Sequence, residues 1–158
     1  MVSSDRSVRS GVRRGEVSDA GYRQLAEFRY RIRQFLHFTE EAARSCHIEP
    51  QHHQLLLALK GLPAGTRPTV TALSHRLCLR HHSTVELIDR LVEQGAVTRQ
   101  HNDEDHREVL IELTAHGEDL LHRLSALLWQ ELRITGPDLA VSLLAVVNHS
   151  IQIRKRSG

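Results

Sequence analysis

The sequence predicts a mainly α-helical chain carrying one small β-hairpin, and three observations carry that prediction. Hydrophobic residues make up 40% of the 158 residues but aromatics only 4%, so the core must be built from Leu, Val, Ile and Ala, of which Leu and Ala are good helix formers. Apolar residues recur at steps of three and four, as in Leu87, Ile88 and Leu91, which is the spacing of one helix face. Two β-prone runs, 96–99 and 109–113, flank a polar insert at 101–106 with the composition of a hairpin loop. A helix leading into such a ribbon is a winged helix-turn-helix, expected over residues 50–113, with a second helical region formed by 19–48 and 114–154.

Taken in order, residues 1–18 are rich in Ser, Gly, Arg and Val without periodicity and read as a disordered basic arm. Asp19 is an N-cap candidate for a first helix, in which Leu25, Phe28, Ile32, Phe35, Leu36 and Ala42 keep helical spacing to about Cys46. At ~1.5 Å per residue it is ~40 Å long, more than a small domain covers, so part of it should pack on another subunit. Pro50 suits the first turn of a second helix over 51–62, whose run from Leu55 to Leu59 should be almost wholly buried. Gly and Pro mark 61–68 as a loop.

A third helix over 69–77 turns Val70, Leu73 and Leu77 inward, and a brief turn leads to a fourth from His81 to Gln94, stopped by Gly95. Beyond the hairpin, Thr114 caps a fifth helix with Leu120, Leu121, Leu124, Leu127, Leu128 and Leu132 on one face, ending near Thr135. Gly136-Pro137 should break it and open a sixth through Leu139, Leu143, Leu144, Val147, Ile151 and Ile153. The expected order is therefore α1-α2-α3-α4-β-β-α5-α6. The sixth helix has more apolar surface than one neighbour hides, which with the first predicts a homodimer.

Several classes are disfavoured. No apolar run approaches the ~20 residues of a membrane span, and no apolar segment follows the Arg-bearing N-terminus, so a cytoplasmic location without a membrane partner is expected. Cys46 and Cys78 fit a reducing compartment. Without a Gly-rich phosphate loop, a nucleophile elbow or a placed acid pair, neither an enzyme nor a cofactor is expected.

The formal charge of +2 is unevenly spread. Residues 1–33 hold eight Arg against four acids, whereas 69–107 hold five Arg against six acids, together with five His.

The run from Leu87 to Arg99 (LIDRLVEQGAVTR), followed by Asp105-His106-Arg107 and by Ile111-Glu112-Leu113-Thr114-Ala115-His116-Gly117, resembles the MarR family of bacterial transcription regulators over residues 20–154. That resemblance implies a homodimer, held by its first, fifth and sixth helices, reading a pseudo-palindromic operator in double-stranded DNA. The fourth helix would enter the major groove, with Ser83 and Thr84 as short hydroxyl donors and Arg80, His81 and His82 at the helix start, where N–H groups favour phosphate. Arg107 would reach the narrow minor groove, oriented by Asp105. The plainer alternative is that these two only close the hairpin as an ion pair. Arg99 would meet phosphate or a structural partner, and His101 would lie near the tip.

Val85 and Glu86 depart from the family pattern. Glu86 either accepts a hydrogen bond from a cytosine amino group or points to solvent. The DNA-reading half is formally acidic, unusual for a protein that must neutralise phosphates. His75, His81, His82, His101 and His106 would supply charge if phosphates favour their protonated forms, so that operator affinity would rise as pH falls from about 8 to 6. The alternative is neutral surface histidines. The basic arm, residues 6–14, is a second source of charge.

The resemblance also implies a small-molecule effector in a cleft, with Arg31, Phe35, Phe38, His52, His53 and Trp129 as candidate lining residues. Zinc sensing has weak footing, because the fifth helix offers only His116 and His122, six apart and on different faces. For redox sensing, Cys46 falls at the end of the first helix and Cys78 in the turn, where buried structural thiols are the alternative. An architectural DNA-binding module without a ligand is the remaining functional alternative.

Overall fold

A computed structural model describes residues 17–101 and 109–156, the last six of these in backbone only. The arm over 1–16 and the wing-tip residues Asp105, His106 and Arg107 lie outside the described residues. The chain contains α1 (Asp19–Ser45), α2 (Pro50–Lys60), α3 (Val70–Leu77), α4 (His81–Glu93), β1 (Val97–His101), β2 (Val109–Leu113) and α5 (Ala115–Arg156). The mainly helical architecture with one hairpin is as the sequence predicts, with two local differences.

First, α1 is capped by Ser18, whose Oγ accepts from the Gly21 N–H at 3.1 Å. Asp19 becomes the first helical residue, where its charge suits the positive end of the helix dipole. Second, the expected sixth helix is continuous with the fifth. α5 runs 42 residues with Pro137 inside it. Proline removes its own N–H from the ladder, crowds the carbonyl four residues back and disfavours helical geometry in the residue before it. That residue is Gly136, which has no Cβ to clash with the proline ring.

The chain divides into two compact units. One comprises Met1–Gln34 with Gly136–Gly158, the other Phe35–Thr135, so the division falls at the Gly136-Pro137 pair that reads as a break in the sequence. In the larger unit, Ala43, Leu55, Leu56, Leu73, Ile88, Leu91, Ile111 and Leu124 are each fully buried in a single core. Residues 35–45 of α1 and 115–135 of α5 share this core, because Ala43, Leu120, Leu121 and Leu124 point into it. On α2, His52, Leu55, Leu56 and Leu59 fall at helical spacing and are buried together. Leu57, expected to be buried with them, lies on another face and is 44% exposed.

Three helices end by the same device. His47 (φ 57°), Cys78 (φ 54°) and Gly95 (φ 69°) adopt left-handed backbone. The next residue's N–H then reaches back to a carbonyl five residues earlier: Ile48 to Ala43 at 3.1 Å, Leu79 to Ser74 at 3.0 Å, and Ala96 to Leu91 at 2.9 Å. These 6→1 bonds of the Schellman type satisfy carbonyls that a helix end leaves open.

The hairpin is antiparallel, in register from Val97 opposite Leu113 to His101 opposite Val109. It is held at both edges of the unit. The Ile111 N–H donates to Pro68 O at 2.9 Å, ahead of α3. At its far end, the Thr114 N–H donates to Ala96 O at 3.1 Å, and the Thr114 hydroxyl donates to Gly95 O at 2.6 Å while accepting from the Gly117 N–H at 3.1 Å. A Cβ on Gly117 would overlap the Ala96 carbonyl oxygen.

Gly117→Ala is therefore expected to lower unfolding stability by roughly 2–3 kcal/mol, the cost of forcing backbone to shift in a packed site. Gly136→Ala, whose Cβ would crowd the Pro137 ring in helical geometry, should also destabilise, by about 1 kcal/mol, despite the better helix propensity of alanine. Denaturant melts of the two variants check both signs.

Candidate nucleic-acid interface

The site is built on the α3–turn–α4 unit. The Thr69 side chain starts α3 by accepting from the Ala72 N–H at 3.2 Å, and buried Ser74 donates from its hydroxyl to Val70 O at 2.7 Å. The left-handed Cys78 then turns the chain, and Arg80, in extended backbone, occupies the N-cap of α4. Thr84, Leu87, Ile88 and Leu91 form the buried stripe that seats α4 in the core. At ~100° per residue, His82, Glu86, Asp89 and Glu93 fall on the opposite side and face outward.

The start of α4 suits an anion. Arg80 provides no side-chain cap, and no acid occupies the first turn, so among the described residues the first N–H groups have no side-chain acceptor and retain the positive end of the helix dipole. Arg80, His81 and His82 surround them and are exposed, and Ser83 is half-buried. Thr84, expected as an outward hydroxyl donor, is fully buried and its hydroxyl donates to Arg80 O at 3.2 Å. The reason is periodicity: Thr84 shares a face with Leu87, Ile88 and Leu91.

Arg99 has a structural partner. Its guanidinium meets Asp89 Oδ1 at 2.6 Å, which ties β1 to the outward side of α4. Sequence reasoning did not pair these residues, since no periodicity links a helix acid to a strand ten residues on. His101 is exposed at the end of β1.

The candidate effector-lining residues are divided between the two units. Arg31 lies in the smaller unit and lines a groove of about 320 Å³ with Gln24, Asp138, Val141 and Ser142. It pairs with Glu27 at 2.7 Å and Asp138 at 3.2 Å, and its pKa is raised, chiefly by the Glu27 hydrogen bond. In the larger unit Phe35 and Phe38 are half-buried, and Trp129 is 66% exposed. His52 and His53 are 2% and 3% exposed. Both ring nitrogens of His52 and Nε2 of His53 are buried without a hydrogen-bond partner among the described residues.

Desolvation lowers the pKa of both histidines. For His52, Arg90 adds to the lowering and Glu49 opposes it. Cys46 is half-buried and Cys78 exposed rather than buried, because its left-handed turn position projects it from the core. Among the described residues no group of three or more His, Cys, Asp or Glu side chains could hold a metal ion, and no helix is long and apolar enough to cross a membrane.

Comparison with known proteins adds three findings. Residues 48–108 match the model of the MarR family. The fold is similar to that of AbsC, a MarR family transcriptional regulator from Streptomyces coelicolor, at 17% identity and a TM-score of 0.69, covering 90% of this chain and 98% of that one. It is also similar to a mutant MarR from E. coli complexed with operator DNA, at 21% identity and a TM-score of 0.62, covering 78% and 87%. CouR from Rhodococcus jostii RHA1, bound to p-coumaroyl-CoA, is similar at 22% identity and a TM-score of 0.64, covering 85% and 95%. These likenesses are of fold. No curated protein sequence matches the chain.

The buried histidines set a sign for pH. Their folded pKa values lie below the unfolded one, near 6.5, so the unfolded chain takes up protons that the folded chain refuses. Stability is then fully present above about pH 6.5 and is lost as pH falls below it. The thermal midpoint should drop between about pH 7.5 and 5.5, and a His52→Leu/His53→Leu double variant should flatten that drop, as read by calorimetry.

Proposed function

From the match of residues 48–108 to the model of the MarR family, we propose that the chain is a MarR-family, sequence-specific DNA-binding transcription regulator. In this reading it is a cytoplasmic repressor that binds a pseudo-palindromic operator as a homodimer and is released by a small-molecule effector. The observation that carries the proposal is the start of α4, whose uncapped N–H groups lie among Arg80, His81 and His82 on an exposed first turn. Phosphate would be held there while the outward residues of α4 face base edges. Arg99 fixes the base of the wing against α4 through Asp89, and His101, Asp105 and Arg107 would extend the contact along the wing. Ser83 would contribute its hydroxyl, whereas Thr84 would act only by holding the helix turn.

The dimer is supported by apolar side chains left in solvent. In the smaller unit, Tyr22, Leu25, Val141, Leu143, Leu144 and Val147 are between 42% and 67% exposed, more than an isolated chain ordinarily leaves uncovered. Release by an effector draws its support from CouR, which was solved with p-coumaroyl-CoA bound.

Selection of bound duplexes from a random pool at fixed salt should enrich a palindrome with half-sites about one helical turn, ~34–36 Å, apart. Enrichment of no sequence would favour an architectural module and contradict the proposal. For one enriched duplex, affinity should rise as pH falls from about 8 to 6, with His75, His81, His82, His101 and His106 supplying charge to phosphate. Fluorescence anisotropy showing a flat affinity over that window would exclude this role.

A further inference from the structure

Beyond the general reading of DNA binding, on which it rests, we propose that Glu86 is the residue that sets base preference, by accepting a hydrogen bond from a cytosine amino group in each half-site. The outward side of α4 carries three acids, and the structure distinguishes them. Asp89 is taken up by the Arg99 guanidinium at 2.6 Å. Glu93 lies in the last turn of α4, the end remote from the uncapped N-terminus. Glu86 alone is exposed in the first half of the helix, diametrically opposite the buried stripe of Thr84, Leu87, Ile88 and Leu91. Although His82 and Arg90 are its neighbours four residues to either side, neither forms an ion pair with it, and Glu86 has no hydrogen-bond partner among the described residues.

An unpaired carboxylate at the centre of a surface facing phosphates is repelled by the backbone of every duplex. It is tolerated where its lone pairs meet a donor, and in the major groove the cytosine N4 amino group is the donor that a carboxylate matches, while guanine O6 and N7, adenine N7 and thymine O4 present acceptors that repel it. Adenine also has an amino donor, but its adjacent N7 acceptor suits an amide rather than a carboxylate. Glu86 thus acts as much by rejecting wrong bases as by accepting the right one. This also accounts for an acidic residue in a protein that must neutralise phosphates: the electrostatic loss applies to all sequences, and the hydrogen bond returns affinity only to one.

The test is selection from a random duplex pool with the full-length wild type, Glu86→Gln and Glu86→Ala, at one salt concentration and with folding checked by thermal melting. The wild type should enrich C at one position of each half-site. Glu86→Gln should move that position towards A, because an amide pairs with adenine N6 and N7, and Glu86→Ala should lose preference there while the remaining positions stay unchanged. Affinity of the Ala variant for the wild-type site should fall about 10-fold, within the range of one base contact. Should both variants keep every wild-type preference and bind all duplexes more tightly, Glu86 would be a solvated, repelling charge and the inference overturned. If the wild type enriches no sequence, the failure lies with the DNA-reading proposal itself.

Discussion

The close approach of the Ala96 carbonyl to the first turn of α5 is the constraint on which the larger unit depends. That oxygen accepts from the Thr114 N–H, and Thr114 in turn bridges Gly95 O and the Gly117 N–H through its hydroxyl. One residue thereby joins the end of α4, the start of β1, the end of β2 and the start of α5. The approach is possible because Gly117 has no Cβ and because Gly95 takes a left-handed backbone. With this junction closed, Val97, Ile111, Leu120 and Leu121 meet Ile88 and Leu91 in the same core, and the rotation of α4 about its axis is fixed.

Fixing that rotation decides which residues of α4 meet water. The same packing that buries Thr84 presents His82 and Glu86, since a helix that shows one face to the core must show the other to solvent. The Arg99–Asp89 pair has its main effect here. As a partly exposed ion pair it contributes little stability, about 0–1 kcal/mol, but it joins wing to helix and removes one of the negative charges from the outward side. Because the pair takes up one arginine along with one acid, the formal charge of residues 69–107 is unchanged, and Arg80 is the cation at the first turn of α4.

Much of the fold was legible because it rests on local patterns. Apolar spacing, Pro50, Gly95 and Thr114 marked element ends to within a residue or two, and the β-prone runs located both strands. What the sequence did not disclose depends on three-dimensional context. Pro137 reads as a terminator, yet a neighbouring glycine lets the helix run through it. Thr84 reads as a polar contact residue, yet its phase on α4 is that of the leucines beside it. His52 and His53 read as cleft residues through the family resemblance, and both are buried on α2 beside Leu55, Leu56 and Leu59. The Arg99–Asp89 pair joins two elements of different period, and no single-period pattern predicts such a contact. The family resemblance supplied the remainder of the site reading.

The central claim is that the outward face of α4, presented by this packing, is where DNA is read. Amide hydrogen exchange of the full chain, with and without a saturating operator duplex, measures that directly. The account predicts slowed exchange confined to residues 80–90 and the hairpin around 97–113, with α2 unchanged. Slowed exchange elsewhere, with the first turns of α4 unaffected, would contradict it.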